Sequence, residues 1–62
     1  MMERTYDVVA ENVDNMHLRC QGEWVRPGKQ VVVVSTTSAE EAEELVNVWI
    51  DMLPIGFRVT VL

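Results

Sequence analysis

Only one stretch of this chain has helical periodicity. From residue 38 to residue 53, Ala42, Leu45, Val46, Trp49 and Leu53 fall on one side of a helix at about 100° per residue, and Glu40, Glu44, Asn47 and Asp51 fall on the other. A lone amphipathic helix has no second helix to pack on, so its apolar stripe must cover a sheet. Ser38 opens the helix: its hydroxyl can cap the first turn while Glu41, three residues on, reaches back in the capping-box arrangement. Glu40, Glu41, Glu43 and Glu44 suit the positive end of the helix dipole, and Pro54 and Gly56 stop the helix.

The rest of the chain reads as strands. Residues 5–13 and 16–25 are rich in β-branched and apolar side chains and are parted by Asp14-Asn15, turn chemistry that predicts a hairpin between them. In the second of these strands Met16, Leu18, Cys20 and Trp24 alternate with His17, Arg19, Gln21 and Glu23, which puts the first set on an apolar face. Arg26-Pro27-Gly28-Lys29 predicts a reverse turn into a third strand, residues 30–35, and Phe57, Val59 and Val61 alternate with Arg58 and Thr60 in a last one. The expected fold class is α+β in the order β-β-β-α-β, a small, mostly antiparallel sheet with one helix packed on one face. Val31 to Val34 are apolar on both faces, which marks a strand covered on both sides or central in the sheet. One helix covers only one side, so the other sheet face is expected to be open, lined by Val9, Val13, Val32 or Val34, and Leu62, and available for association.

A chain of 62 residues makes one domain, residues 1–62, and a domain of that size buries only about 60% of the surface its unfolded chain exposes. Cys20 is the only cysteine, which excludes an intrachain disulfide and points to a reducing, cytoplasmic compartment. No run approaches the roughly 20 apolar residues of a membrane span, and the first residues hold no apolar stretch of signal-peptide length, so a soluble protein is expected. Ten acidic against five basic residues give a net charge of -5. That balance repels phosphate backbones and favours a protein partner with a basic surface over direct nucleic-acid binding.

The inventory for catalysis is poor, and the chain reads as non-catalytic, without cofactor or metal. His17 and Cys20 lie three apart, on opposite faces of a strand, and cannot form a local dyad. Cys20 and Trp49 read as core and His17 as solvated. There is neither a soft-ligand set for zinc nor a glycine-rich phosphate loop. What remains is charge: Glu40, Glu43, Glu44 and Asp51, extended by Asp7 and Glu11 and by Asp14, form an acidic stripe suited to a basic groove, its carboxylates occupying positions where a nucleic acid's phosphates would sit. Trp24, beside the predicted turn, is the candidate interface anchor. The alternative is a structural or assembly role, a homodimer in which the open sheet face or an edge strand pairs with a copy of itself and the acidic helix keeps the assembly in solution.

The apolar strand ahead of the helix, the Glu40-Glu41-Ala42 opening, Trp49 near the helix end and Pro54-Ile55-Gly56-Phe57-Arg58-Val59-Thr60 resemble the small podophage inhibitors of bacterial RNA polymerase. Where the last strand of that family continues into alternating arginines that contact polymerase, this chain has Val61-Leu62. In size and charge the chain is also similar to small phage anti-CRISPR proteins. Both resemblances imply a phage inhibitor in the host cytoplasm that occludes a nucleic-acid-binding surface, on RNA polymerase or on a CRISPR effector.

Overall fold

The computed structural model describes residues 4–62. Val8, Val9 and Ala10 are consecutive and all buried, which a strand achieves when it is flanked on both edges and shielded on both faces. They belong to β1 (Tyr6–Asn12), the centre of a three-stranded sheet in the order β4-β1-β5, with β4 (Gln30–Thr36) and β5 (Phe57–Val61) each antiparallel to it. The two flanking strands are therefore parallel to each other. Parallel strands need a crossover, which α1 (Ala39–Met52) supplies. Its Ala42, Leu45, Val46 and Trp49, with Leu53 just beyond, pack on Val8 and Val59 and cover one sheet face.

The fold class is thus the α+β arrangement expected from the sequence, with one more strand in the order β-β-β-β-α-β. Residues 16–25 are not one strand. They form β2 (Leu18–Cys20) and β3 (Glu23–Val25), joined through Gln21-Gly22 into a separate antiparallel hairpin. The predicted hairpin between the first two strands does not form: Asp14-Asn15 turns the chain, but β1 pairs with β4 and β5 instead. Gln21 and Gly22 both have positive φ, 52° and 81°, the conformation that matches the twist of a tight two-residue hairpin turn. Asparagine adopts positive φ more readily than glutamine, so Gln21→Asn is expected to stabilise the protein by about 0.5 kcal/mol, measured as a raised urea midpoint with an unchanged slope.

The extra turn also reassigns the faces. Leu18 lies opposite Val25 and Arg19 opposite Trp24, so Val25 and Cys20 are buried while Trp24 points outward. The expected apolar set of Met16, Leu18, Cys20 and Trp24 is corrected accordingly: Met16 and Trp24 are exposed.

The valine run is neither central nor covered on both sides: β4 is an edge strand and Val32 is exposed, and a bulge shapes it. Val34 pairs with Val8 and Val32 with Val9, which leaves Val33 without a partner. Two residues facing one on the neighbouring strand bend the chain locally, and Val33 and Val34 both pack against the helix-side core. Register places Val32, Val9, Val13 and Leu62 on the opposite face, as expected, but Val34 is on the helix side.

Local signals hold at the remaining joints. Lys29 N–H donates to the Arg26 carbonyl at 3.0 Å across Pro27-Gly28, the predicted reverse turn. Ser38 Oγ accepts from Glu41 N–H at 3.2 Å. The other half of the capping box is replaced, since Ser38 N–H donates to Thr36 Oγ1 at 3.2 Å.

Candidate functional site: an anionic helix face

The helix spacing read from sequence places Glu40, Glu43, Glu44 and Asp51 on the side of α1 away from the sheet, and all four are exposed. Residues 39–52 contain five carboxylates, counting Glu41, and no lysine, arginine or histidine. Glu40 and Glu44 are four residues apart, while Glu40/Glu43 and Glu41/Glu44 are three apart. Each such like-charge pair destabilises an isolated helix by about 0.2–0.5 kcal/mol. The positive end of the dipole offsets part of this for the first turn. Asp51 has no such compensation, because it sits in the last turn, which has no basic residue. None of these carboxylates is in the ion pair found among the described residues, Arg58 to Glu11 at 3.0 Å.

Asp7 and Glu11 do not extend this stripe. They alternate with Val8 and Ala10, which puts them on the sheet face opposite α1. Both are engaged there: Ser35 Oγ donates to Asp7 Oδ1 at 2.7 Å, and Arg58 Nη2 donates to Glu11 Oε1 at 3.0 Å. The Arg58 hydrogen bond holds the Glu11 carboxyl below its ordinary range. The pair's contribution is present above the ordinary carboxyl pKa and lost as pH falls through the lowered one; because the pair is open to solvent, it is small. Asp14 lies at the base of the β2–β3 hairpin, where its Oδ1 accepts from Asn15 N–H at 2.6 Å. The predicted acidic set therefore divides into a helix group and a group on the far side of the sheet.

That far face is mixed. Ser35, Asp7 and Leu62 form one row across it, Val32, Val9 and Thr60 the next, and Gln30, Glu11 and Arg58 a third. Val9 is 2% exposed beneath its neighbours, and Val32 is the valine of the run that reaches solvent there.

Trp24 is 66% exposed. The guanidinium of its cross-strand neighbour Arg19 lies 5.5 Å from the ring centroid, a cation–π stack that leaves the rest of the indole to solvent. Beside the carboxylates, Val48, Ile50 and Met52 on α1 and Ile55 just past it are exposed, so the charged stripe has an apolar margin.

Of the residues singled out for chemistry, Cys20 is buried, with its thiol pKa pushed up by that burial, and His17 is exposed. Among the described residues there is no concave pocket, no group of three or more His, Cys, Asp or Glu placed to hold a metal, and no helix long and apolar enough to cross a membrane.

The polar residue that organises the fold was not visible in the pattern. Asn12 is fully buried; its side-chain amide donates to the Met16 and Val25 carbonyls, each at 2.8 Å, and its Oδ1 accepts from Asp14 N–H at 2.9 Å. Its backbone N–H and C=O bond to Lys29 and Gly28. One side chain at the end of the central strand thus holds both ends of the β2–β3 hairpin. Comparison with protein-family models, with curated proteins and with solved structures finds no match to this chain.

Proposed function

We propose that this protein is a non-catalytic binding module whose anionic helix face docks on a cationic, nucleic-acid-binding surface of a host complex and occludes it. The observation that carries this reading is the helix itself: five carboxylates with no cation among them, held together despite mutual repulsion and an Asp51 that opposes the dipole. A partner supplying arginine or lysine relieves that repulsion. The apolar margin of Val48, Ile50, Met52 and Ile55 suits an interface with an apolar core and a charged rim. The protein acts, in this reading, as a phage-encoded inhibitor in the bacterial cytoplasm, with RNA polymerase and a CRISPR effector as the two candidate targets. A homodimer through the far sheet face has less support, since Asp7, Glu11 and Arg58 share that face with Val32.

The test is binding to purified RNA polymerase and to a purified CRISPR effector complex, with DNA as competitor, over a salt series. Occlusion predicts displacement by DNA and weakening with salt. Asp51→Lys should act in opposite directions on two readouts: folding stability rises by about 0.3–1 kcal/mol as the dipole clash is removed, while target affinity falls. A triple Glu40→Lys, Glu44→Lys, Asp51→Lys variant that still binds either target with wild-type affinity would reduce the stripe to a solvated face.

A further inference from the structure

The two edges of the sheet differ in a way that points to a second copy of this chain. On β4 the edge is interrupted by the bulge at Val33, whose carbonyl accepts from Gln21 Nε2 at 3.4 Å. Bulges and side-chain cover are devices that keep an edge strand from pairing further. β5 has neither. Asp7 and Leu62 exchange backbone hydrogen bonds in both directions, and Val13 N–H donates to the Gly56 carbonyl. With the antiparallel register that runs between these points, the N–H and C=O groups of Arg58 and Thr60 face β1. Those of Phe57, Val59 and Val61 therefore face outward, and no backbone or side-chain partner engages them among the described residues.

We propose that β5 pairs antiparallel with β5 of a second copy, making one continuous sheet across a two-fold axis at Val59. In that register Val59 exchanges two backbone bonds with its own counterpart, and each Phe57 exchanges two with Val61 across the seam. The side chains are self-complementary. Val59 meets Val59 and Phe57 meets Val61 on the helix side; on the far face, Arg58 meets Thr60. Sliding the axis to Arg58 would set two guanidiniums directly opposite each other, which is destabilising, so charge selects the Val59 register. The strand is short and each copy carries a charge of -5, which makes the dimer weak and strengthens it as salt screens the repulsion. That salt dependence is opposite in sign to docking of the anionic helix on a cationic target, and the edge lies outside the helix stripe, so either proposal can fail without the other.

The experiment is sedimentation equilibrium from micromolar to millimolar protein, with amide hydrogen exchange at both ends of the range. Expected are a monomer–dimer equilibrium that tightens with salt, and concentration-dependent protection of the Phe57, Val59 and Val61 amides while Arg58 and Thr60 are protected throughout. Thr60 is exposed, so its substitution leaves the core intact. Thr60→Lys sets like charges across both Arg58 positions and should weaken the dimer roughly fivefold, and Thr60→Glu should tighten it by a similar factor. A monomer at millimolar concentration overturns the proposal. So does a dimer unmoved by both substitutions, or protection that appears on other strands.

Discussion

Replacing Asn12 with alanine is expected to release the β2–β3 hairpin and to remove about 2–4 kcal/mol of stability, because two carbonyls lose their donor and a buried carbonyl without a partner costs about 1–3 kcal/mol. The Val25 carbonyl bond is fully buried and the Met16 one partly so, and the first should contribute more. A domain of 62 residues has roughly 3–9 kcal/mol in total at about 0.05–0.15 kcal/mol per residue, so the substitution removes a large share of it. The hairpin has no means of surviving alone: its strands are three residues each, and an isolated two-stranded hairpin is marginal in water. Cys20 reports the event, being the single thiol and buried in that hairpin. Its labelling by a thiol reagent should accelerate about 30-fold or more if 2 kcal/mol or more of local stability is lost. Asn12→Asp keeps the shape but puts one carboxylate oxygen where the amide nitrogen faces two carbonyls. It should be worse than alanine at neutral pH and recover as acid protonates the carboxyl, since burial raises that group's pKa and the penalty belongs to its charged form. Wild-type labelling rates in the alanine variant would show that the hairpin is held by something other than this amide.

Gly56→Ala should be the most damaging of the glycine substitutions, at about 2–4 kcal/mol, or roughly 10 °C or more in melting temperature for a domain of this size. Gly56 has φ +116°, and a Cβ there would lie 2.6 Å from Leu18 Cδ1, 3.1 Å from Asp14 Oδ2 and 3.2 Å from Asp14 Cβ. The leucine methyl ends a flexible side chain and can swing away; the Asp14 Cβ is fixed to the backbone. Gly22 and Gly28, both at φ +81° with nothing within 4 Å of a Cβ, supply the control. Alanine at either meets backbone strain alone, so the excess cost at Gly56 combines the close approach of Leu18 and Asp14 with its more strained φ. Equal melting temperatures for the three variants would mean that Leu18 and Asp14 yield freely.

The helix was legible because it is local. A hydroxyl at Ser38, an apolar residue every three or four positions and a proline at 54 act within a few turns, and the acidic face follows from the same 3.6-residue period. Strand partners are not local. Asp14-Asn15 says that the chain turns but not which strand β1 meets afterward, and the partners it takes begin at Gln30 and Phe57. The second hairpin was hidden by Gln21, a residue type that gives no hint of positive φ. The division of the acidic set depended on which sheet face the helix covers, and alternation along β1 leaves that undecided: Asp7 and Glu11 share one parity, but the side they occupy is fixed only by Val8 packing under α1. Nothing in the pattern sets Asn12 apart, because its partners lie at residues 16 and 25, beyond the range of any periodic signal.

The position of β1 between β4 and β5 also dictates when the protein can assemble. Every ladder bond of the main sheet joins the beginning of the chain to residue 30 or beyond, so loop-closure entropy has to be met before any of the sheet is rewarded. During synthesis, β1 leaves the ribosome before either partner does. It gains one edge when β4 emerges and the other when β5 does, after the anionic helix is already outside. Until then, the Val8-Val9-Ala10 segment and the valines of β4 are unprotected strands on a nascent chain.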